Sequence, residues 1–245
     1  MEHPYVRLGL LEDFEVSFAG EVLHVAAPAQ RLLAKLAVVQ RGRPTQRTAL
    51  AERLWPETPP ARAASSLRSV LWRLPRPRGR TLVTCTATTV RLAEDVRVDL
   101  WEAEEQARLL CAHDSPPADS LVDLTALTRD LLPGWHDDWL QVAQESFRQK
   151  RLHALERSSE ALRQRARYTD ALSAGLGAVE SEPLRESAHR SVIAVHLAEG
   201  NHAEALRQYD GYRRLLASEL GLRPSPAIRT MVAPLLGRPV DLASE

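Results

Sequence analysis

The sequence predicts a mainly α chain in two parts: a first in which short strands frame three helices, and a second that is helical almost throughout. Three observations predict it. Residues 5–25 alternate apolar and polar positions in the manner of strands, and helical spacing then takes over. From Asp99 onward apolar residues recur at helical spacing, and one motif returns after 34 residues. Charge divides at the same place: residues 1–97 hold 15 Lys and Arg against 9 Asp and Glu, the remainder 17 against 23, in a chain of zero net charge. At 245 residues the chain exceeds the usual size of one domain, so two are expected, 1–97 and 98–245.

In the first part, Tyr5-Val6-Arg7-Leu8, then Phe14, Val16 and Phe18, then Leu23 and Val25 beyond Ala19-Gly20, predict a small antiparallel sheet. Pro28 opens a helix over 29–40, with Leu32, Leu33, Leu36 and Val39 as its stripe and Gly42 and Pro44 as its stop. Thr45 is expected to cap a second helix carrying Leu50, Ala51, Leu54 and Trp55, closed by Pro56. A third helix over 61–74 buries Ala64, Leu67, Leu71 and Leu74 and ends at Pro75. Residues 81–92, Thr-rich and β-branched about Ala87-Thr88, predict a hairpin. Sheet, three helices and hairpin is the order of a winged helix-turn-helix.

Between Glu57 and Glu94 stand Arg62, Arg68, Arg73, Arg76, Arg78, Arg80 and Arg91, with no acid among them. Thirty of the 32 basic residues are Arg, which reflects a GC-rich genome as much as function, so placement carries the argument. Placement points to a polyanion. Opposite the leucine stripe of the third helix lie Arg62, Ser65, Ser66, Ser69 and Arg73, with Arg68 on the flank, able to reach phosphates and base edges. Thr86, Thr88, Thr89 and Arg91 are assigned to the wing, with Arg76, Arg78 and Arg80 tracking the backbone beside it. The competing reading, an amphipathic helix merely solvated by arginine, holds for any one of these residues better than for the set. Trp72 either packs beneath the hairpin or sits exposed, and packing is the expected role, as most tryptophans are largely buried.

Val6-Arg7-Leu8-Gly9, Gln30-Arg31-Leu32-Leu33, Leu50-Ala51-Glu52-Arg53-Leu54-Trp55-Pro56 and Leu67-Arg68-Ser69-Val70-Leu71-Trp72-Arg73-Leu74 resemble the OmpR-type winged helix of the actinobacterial antibiotic-pathway regulators, the SARP family. The likeness covers residues 5–100. One departure is Pro75-Arg76-Pro77-Arg78, where the family continues its helix with a further basic residue; a shorter recognition helix is expected here.

In the second part, Leu100, Ala103, Ala107 and Leu110 predict a connecting helix, and Ser115-Pro116-Pro117 a loop. Leu132-Pro133-Gly134-Trp135 breaks the chain before a long helix from about Trp139, along which Phe147, Arg151, Leu155 and Leu162 lie. Tyr168-Thr169-Asp170-Ala171-Leu172 recurs as His202-Ala203-Glu204-Ala205-Leu206, the period of a tetratricopeptide unit. Two such units are fewer than a stable stack needs, so helices over 100–110 and 125–147 are expected to complete it. Gly175 and Gly177 either open a groove or permit close helix contact, and close contact is the expected role. Leu132–Trp139, Glu182–Arg190 and Leu215–Pro226 resemble, in order, the bacterial transcriptional activator domain that follows the winged helix in the same family.

What the resemblance implies is a sequence-specific transcriptional activator. Protomers would bind promoter direct repeats on double-stranded DNA, a second protomer beside the first, and recruit RNA polymerase through sigma factor and core subunits. The alternative is a helical-repeat adaptor whose winged helix no longer reads DNA. No enzyme, cofactor or metal is expected. The chain has no GxxxxGK loop, no nucleophile elbow about Ser65-Ser66, and no partners for His189 and His196, while His136-Asp137-Asp138 reads as a helix start packed by Trp135 and Trp139. Cys85 and Cys111 make no CxxC pair, and no apolar run approaches a membrane span, so a cytoplasmic protein without membrane partner is expected.

Overall fold

The computed structural model describes residues 5–112, 116, 121 and 123–236. By its packing the chain divides into two compact units, Met1–Glu102 with Asp130–Ser146, and Ala103–Arg129 with Phe147–Glu245.

The first unit begins with β1 (Val6–Gly9), β2 (Glu15–Phe18) and β3 (Glu21–Val22), antiparallel neighbours as the alternation predicts. Ala19 and Gly20, both at positive φ, turn the second pair, and Val6, Leu8, Val16 and Phe18 form its buried face. Helix α1 (Ala27–Lys35) carries Pro28 in its first turn and continues through one π-helical turn, Leu36–Gln40. That turn holds more residues than an α-helical one and moves the stripe, so Val38 is buried and Val39 is 42% exposed, contrary to the even spacing expected. Thr45 is not a cap. With Gln46 it forms β4 (Thr45–Gln46), ahead of α2 (Arg47–Leu54), whose first amide donates to the Thr88 carbonyl at 2.8 Å. Helix α3 (Pro60–Trp72) starts on a proline that has no amide to satisfy and buries Ala63 and Leu67, with Leu74 buried just past its end.

Strands β5 (Val83–Cys85) and β6 (Thr89–Leu92) form the expected hairpin, and β4 pairs with β6 in the order β4-β6-β5. The last strand, β7 (Val96–Val98), joins the first sheet parallel to β1, giving the order β3-β2-β1-β7. Antiparallel pairing alone was expected; the three helices and the hairpin supply the long connection that parallel neighbours require.

Beyond Gly9 the strand β1 ends, and the next amides turn to Asp99, the first residue of α4 (Asp99–Ala112). Its buried carboxylate accepts the Leu10 N–H at 2.9 and 3.0 Å, the Leu11 N–H at 3.1 Å and the Leu100 N–H at 2.7 Å. Leu100, Ala103, Ala107 and Leu110 of α4 are buried, as their spacing predicts.

The helix expected over 125–147 forms only from Asp138 onward. A single 3-10 turn, Thr125–Thr128, is followed by extended chain that returns to the first unit. Leu131 bridges Leu11, the Glu12 N–H donates to the Asp130 carbonyl at 2.7 Å, and the Leu132 N–H donates to the Leu10 carbonyl at 3.0 Å. Pro133 and a positive φ at Leu132 keep this stretch from becoming helical. Trp135 stacks on Phe14 with centroids 5.9 Å apart, and Gln144 on α5 (Asp138–Gln164) donates to the carbonyls of Leu131 and Leu132 at 3.0 Å each.

The second unit holds the later part of α5, with Phe147, Arg151, Leu155 and Leu162 buried, then α6 (Tyr168–Ser181), α7 (Glu186–Glu199), α8 (His202–Leu220) and α9 (Pro226–Leu236). Helices α6 and α8 start 34 residues apart, and the small Ala171 and Ala205 are fully buried where paired helices meet. Ile193, Ala205, Tyr212, Leu216, Ile228 and Val232 make one core. Both glycines serve close approach: a Cβ on Gly175 would lie 3.0 Å from Val192 Cγ2 and 3.2 Å from Ser159 Oγ, and one on Gly177 3.0 Å from Thr128 Cγ2. His189 is buried with partners the sequence did not reveal. It donates from Nε2 to the Pro183 carbonyl at 2.9 Å and accepts from Gln208 at 3.0 Å, a neutral tautomer whose pKa burial pushes below the ordinary value. The Ser115-Pro116-Pro117 loop lies outside the described residues apart from Pro116.

Asp99→Ala leaves three buried amides without an acceptor and is expected to cost about 3 kcal/mol or more in urea unfolding, Asp99→Asn less because one oxygen survives. Gly175→Ala is expected to destabilise by about 1–3 kcal/mol despite alanine's better helix propensity, since Val192 is fully buried and cannot yield. Gly177→Ala crowds only the exposed Thr128, with Leu155 at an ordinary 3.9 Å, and is expected to be neutral or stabilising in the same measurement.

Candidate nucleic-acid interface

Helix α3 turns its two sides to different tasks. At about 3.6 residues per turn, Ala63, Leu67 and the following Leu74 point one way, and Ser65, Ser69 and Trp72 the other. Arg62 and Arg73 border that outer face on one side and Arg68 on the other. Arg62, Ser65, Arg68, Ser69 and Arg73 are exposed as predicted, while Ser66 is half-buried on the shoulder of the helix. Arg73 caps the helix, which ends at Trp72, two residues before the expected Leu74.

Trp72 does not pack beneath the hairpin. It is 78% exposed, at the middle of the outer face, and forms one wall of a groove of about 420 Å³ between α3 and the hairpin, lined also by Leu71, Arg76, Val83 and Cys85. Partial burial raises the Cys85 thiol pKa above its ordinary value, against the opposing charge of Arg47, and so disfavours the thiolate.

The hairpin turn is fixed by one hydroxyl. Thr86 Oγ1 accepts the amides of Thr88 at 3.3 Å and Thr89 at 2.9 Å and bonds the Thr89 hydroxyl at 2.8 Å, while Arg47 donates to the Thr86 carbonyl at 3.2 Å. Thr86 and Thr89 are therefore engaged in shaping the tip. Thr88 stands exposed on it.

The basic residues fall into two groups. Arg62, Arg68, Arg73 and Arg76 make no ion pair among the described residues. Arg80 pairs with Asp95 at 2.8 Å and Arg91 with Glu94 at 2.7 Å, acids just past the acid-free stretch. Arg78, at a left-handed φ of 48°, places its guanidinium 5.7 Å from the Phe18 ring. In the second unit four arginines are paired at helical spacing: Arg163 with Glu160, Arg167 with Asp170, Arg207 with Glu204 and Arg213 with Asp210.

A second cavity, of about 730 Å³, lies in the first unit between the start of α1, the end of α2 and Gly134–Asp137. Arg31 and Asp137 face each other there at 3.7 Å. Nearby, the buried Lys35 donates to the Arg53 carbonyl at 3.1 Å and lies 5.0 Å from the Trp139 ring, its pKa lowered by burial and then by Arg53. Asp138 opens α5, the helix start expected of His136-Asp137-Asp138, and no cluster of three potential metal ligands occurs among the described residues. No helix among them is long and apolar enough to cross a membrane.

Residues 98–236 match the family of the bacterial transcriptional activator domain. The chain is 27% identical over 236 residues to the regulatory protein AfsR of Streptomyces coelicolor, across 92% of this chain and 24% of that protein. It is 28% identical over 248 residues to AfsR of Streptomyces griseus, across 97% of this chain and 25% of that protein. It thus spans about a quarter of the length of these relatives. Mycobacterium tuberculosis EmbR, solved in complex with a low affinity phosphopeptide, shares the fold with a TM-score of 0.68 at 21% identity, over 98% of this chain and 67% of that one. The chain accordingly belongs to the bacterial transcriptional activator domain family, with a winged helix ahead of its helical repeats.

Proposed function

We propose that the chain is a sequence-specific DNA-binding activator that inserts α3 into the major groove and lays the β5–β6 hairpin along the adjacent minor groove. The observation that carries this reading is the contrast in arginine pairing. In the helical repeats Arg163, Arg167, Arg207 and Arg213 sit three residues from acids that neutralise them, whereas Arg62, Arg68 and Arg73 crowd one short helix with no counter-charge within the described residues. Like charges held together on a folded surface repel one another, and a row of phosphates removes that repulsion while releasing counterions. An α-helix fits the major groove of about 12 Å, and serine hydroxyls between the arginines reach either phosphates or base edges.

The hairpin serves position more than sequence. Thr88 and Arg76 are free to touch the backbone, while Arg80 and Arg91 each exchange an acid for a phosphate on binding. Protomers on direct repeats then meet through their helical repeats, and RNA polymerase, through sigma factor and core subunits, is the partner of the assembly. This part of the reading rests on membership of the family.

Replacing Arg62, Arg68 and Arg73 together by Ala should reduce affinity for a footprinted promoter element by at least two orders of magnitude and flatten the dependence of log K on log salt by about 1 for each phosphate no longer neutralised. All three are exposed, so the variant should unfold at the wild-type urea concentration. Unchanged binding by the folded variant would remove α3 from the interface. Arg76→Ala should cost more than Arg80→Ala in the same titration, because Arg80 must first leave Asp95.

A further inference from the structure

An indole 78% exposed at the middle of a polar, arginine-bordered face has no structural task there. Water solvates it poorly, nothing among the described residues covers it, and a solvated helix face would carry a polar residue at that position. We propose that Trp72 is a specificity-determining residue that packs its indole against the 5-methyl group of a thymine in the major groove. The assignment rests on the DNA-binding reading above and goes beyond it in naming the base and the contact.

Three observations favour duplex DNA over a protein as occupant. Trp72 stands one helical turn from Arg68 and Ser69 and two turns from Ser65, so any body that touches those residues also covers the ring. Arg68, Arg73 and Arg76 around it carry no counter-charge among the described residues, which suits a phosphate-lined groove. The ring adjoins the groove lined by Leu71, Pro75 and Val83, but away from that groove the outer face of α3 presents Ser65, Ser69 and arginines in place of the wide apolar patch that a protein partner needs. Within the major groove the thymine methyl is the apolar feature that distinguishes one base from the others. A flat apolar ring at the centre of the face complements it, as the flanking arginines complement guanine edges and phosphates.

The test compares the full chain with Trp72→Ala and Trp72→Phe on the footprinted element and on copies carrying uracil in place of each thymine in turn, over a range of salt. Trp72→Ala should bind the element about tenfold more weakly with an unaltered salt slope, since no charge is removed, and Trp72→Phe should retain part of the affinity. Uracil at one position should weaken the wild type several-fold and leave Trp72→Ala unaffected. Full affinity of Trp72→Ala overturns the assignment, and if that variant also loses promoter output the ring faces a protein instead. A loss that uracil substitution leaves additive overturns the thymine contact. Should the wild-type chain protect no element at all, the DNA-binding reading falls and takes this assignment with it.

Discussion

The first unit depends on one buried carboxylate. Where β1 ends at Gly9 the amides of Leu10 and Leu11 have no strand to pair with, and Asp99 takes both while capping its own helix through Leu100. The same residue follows β7, the strand that enters the sheet in parallel after a detour of nearly ninety residues. A parallel pair of three residues is weak alone, and the carboxylate fastens it at the point where the chain turns away. Trp101 then bonds the Ala37 carbonyl at 3.0 Å at the π-turn that prolongs α1. Sheet, α1 and the first turn of α4 are thereby one body, against which α2 and α3 pack. A recognition surface on α3 is only as well aimed as that frame is rigid.

Charge is distributed by the same logic of pairing. Arginine is nearly the sole cation of this chain, so its abundance says little and its partners say much. On α8, Arg207 and Arg213 stand three residues from acids, a device that keeps an exposed helix soluble without creating a field. On α3 no acid occurs, and the positive potential persists. The arrangement costs self-repulsion in the free protein and is recovered where a polyanion supplies the missing charge.

Most elements were legible because they rest on local pattern. Spacing of two gave β1 and β2, proline punctuated α1 and α3, threonines about Ala87-Thr88 gave the hairpin, and the interval between Tyr168 and His202 gave the repeats. What stayed hidden involves partners distant in sequence. Val96-Arg97-Val98 is too short to announce a strand, and its partner lies ninety residues away. The sequence predicts a helix over 125–147, and only the fold brings Leu131 and Trp135 of this stretch onto Leu11 and Phe14. Thr45 satisfied the local rule for a cap, yet Val90 claims its backbone. The candidate site shows the same division: the positions of the arginines could be read directly, while the pairing of Arg80 with Asp95 and the exposure of Trp72 required the fold.

If the unpaired face of α3 and the hairpin beside it read a repeated DNA element, hydroxyl-radical footprinting of the full chain on DNA from its own chromosomal neighbourhood is the deciding measurement. Short protected backbone segments are expected to recur at a fixed interval upstream of a promoter, each with guanine N7 shielded from methylation in the major groove. Retardation of any duplex alike, with no segment protected, would contradict this reading.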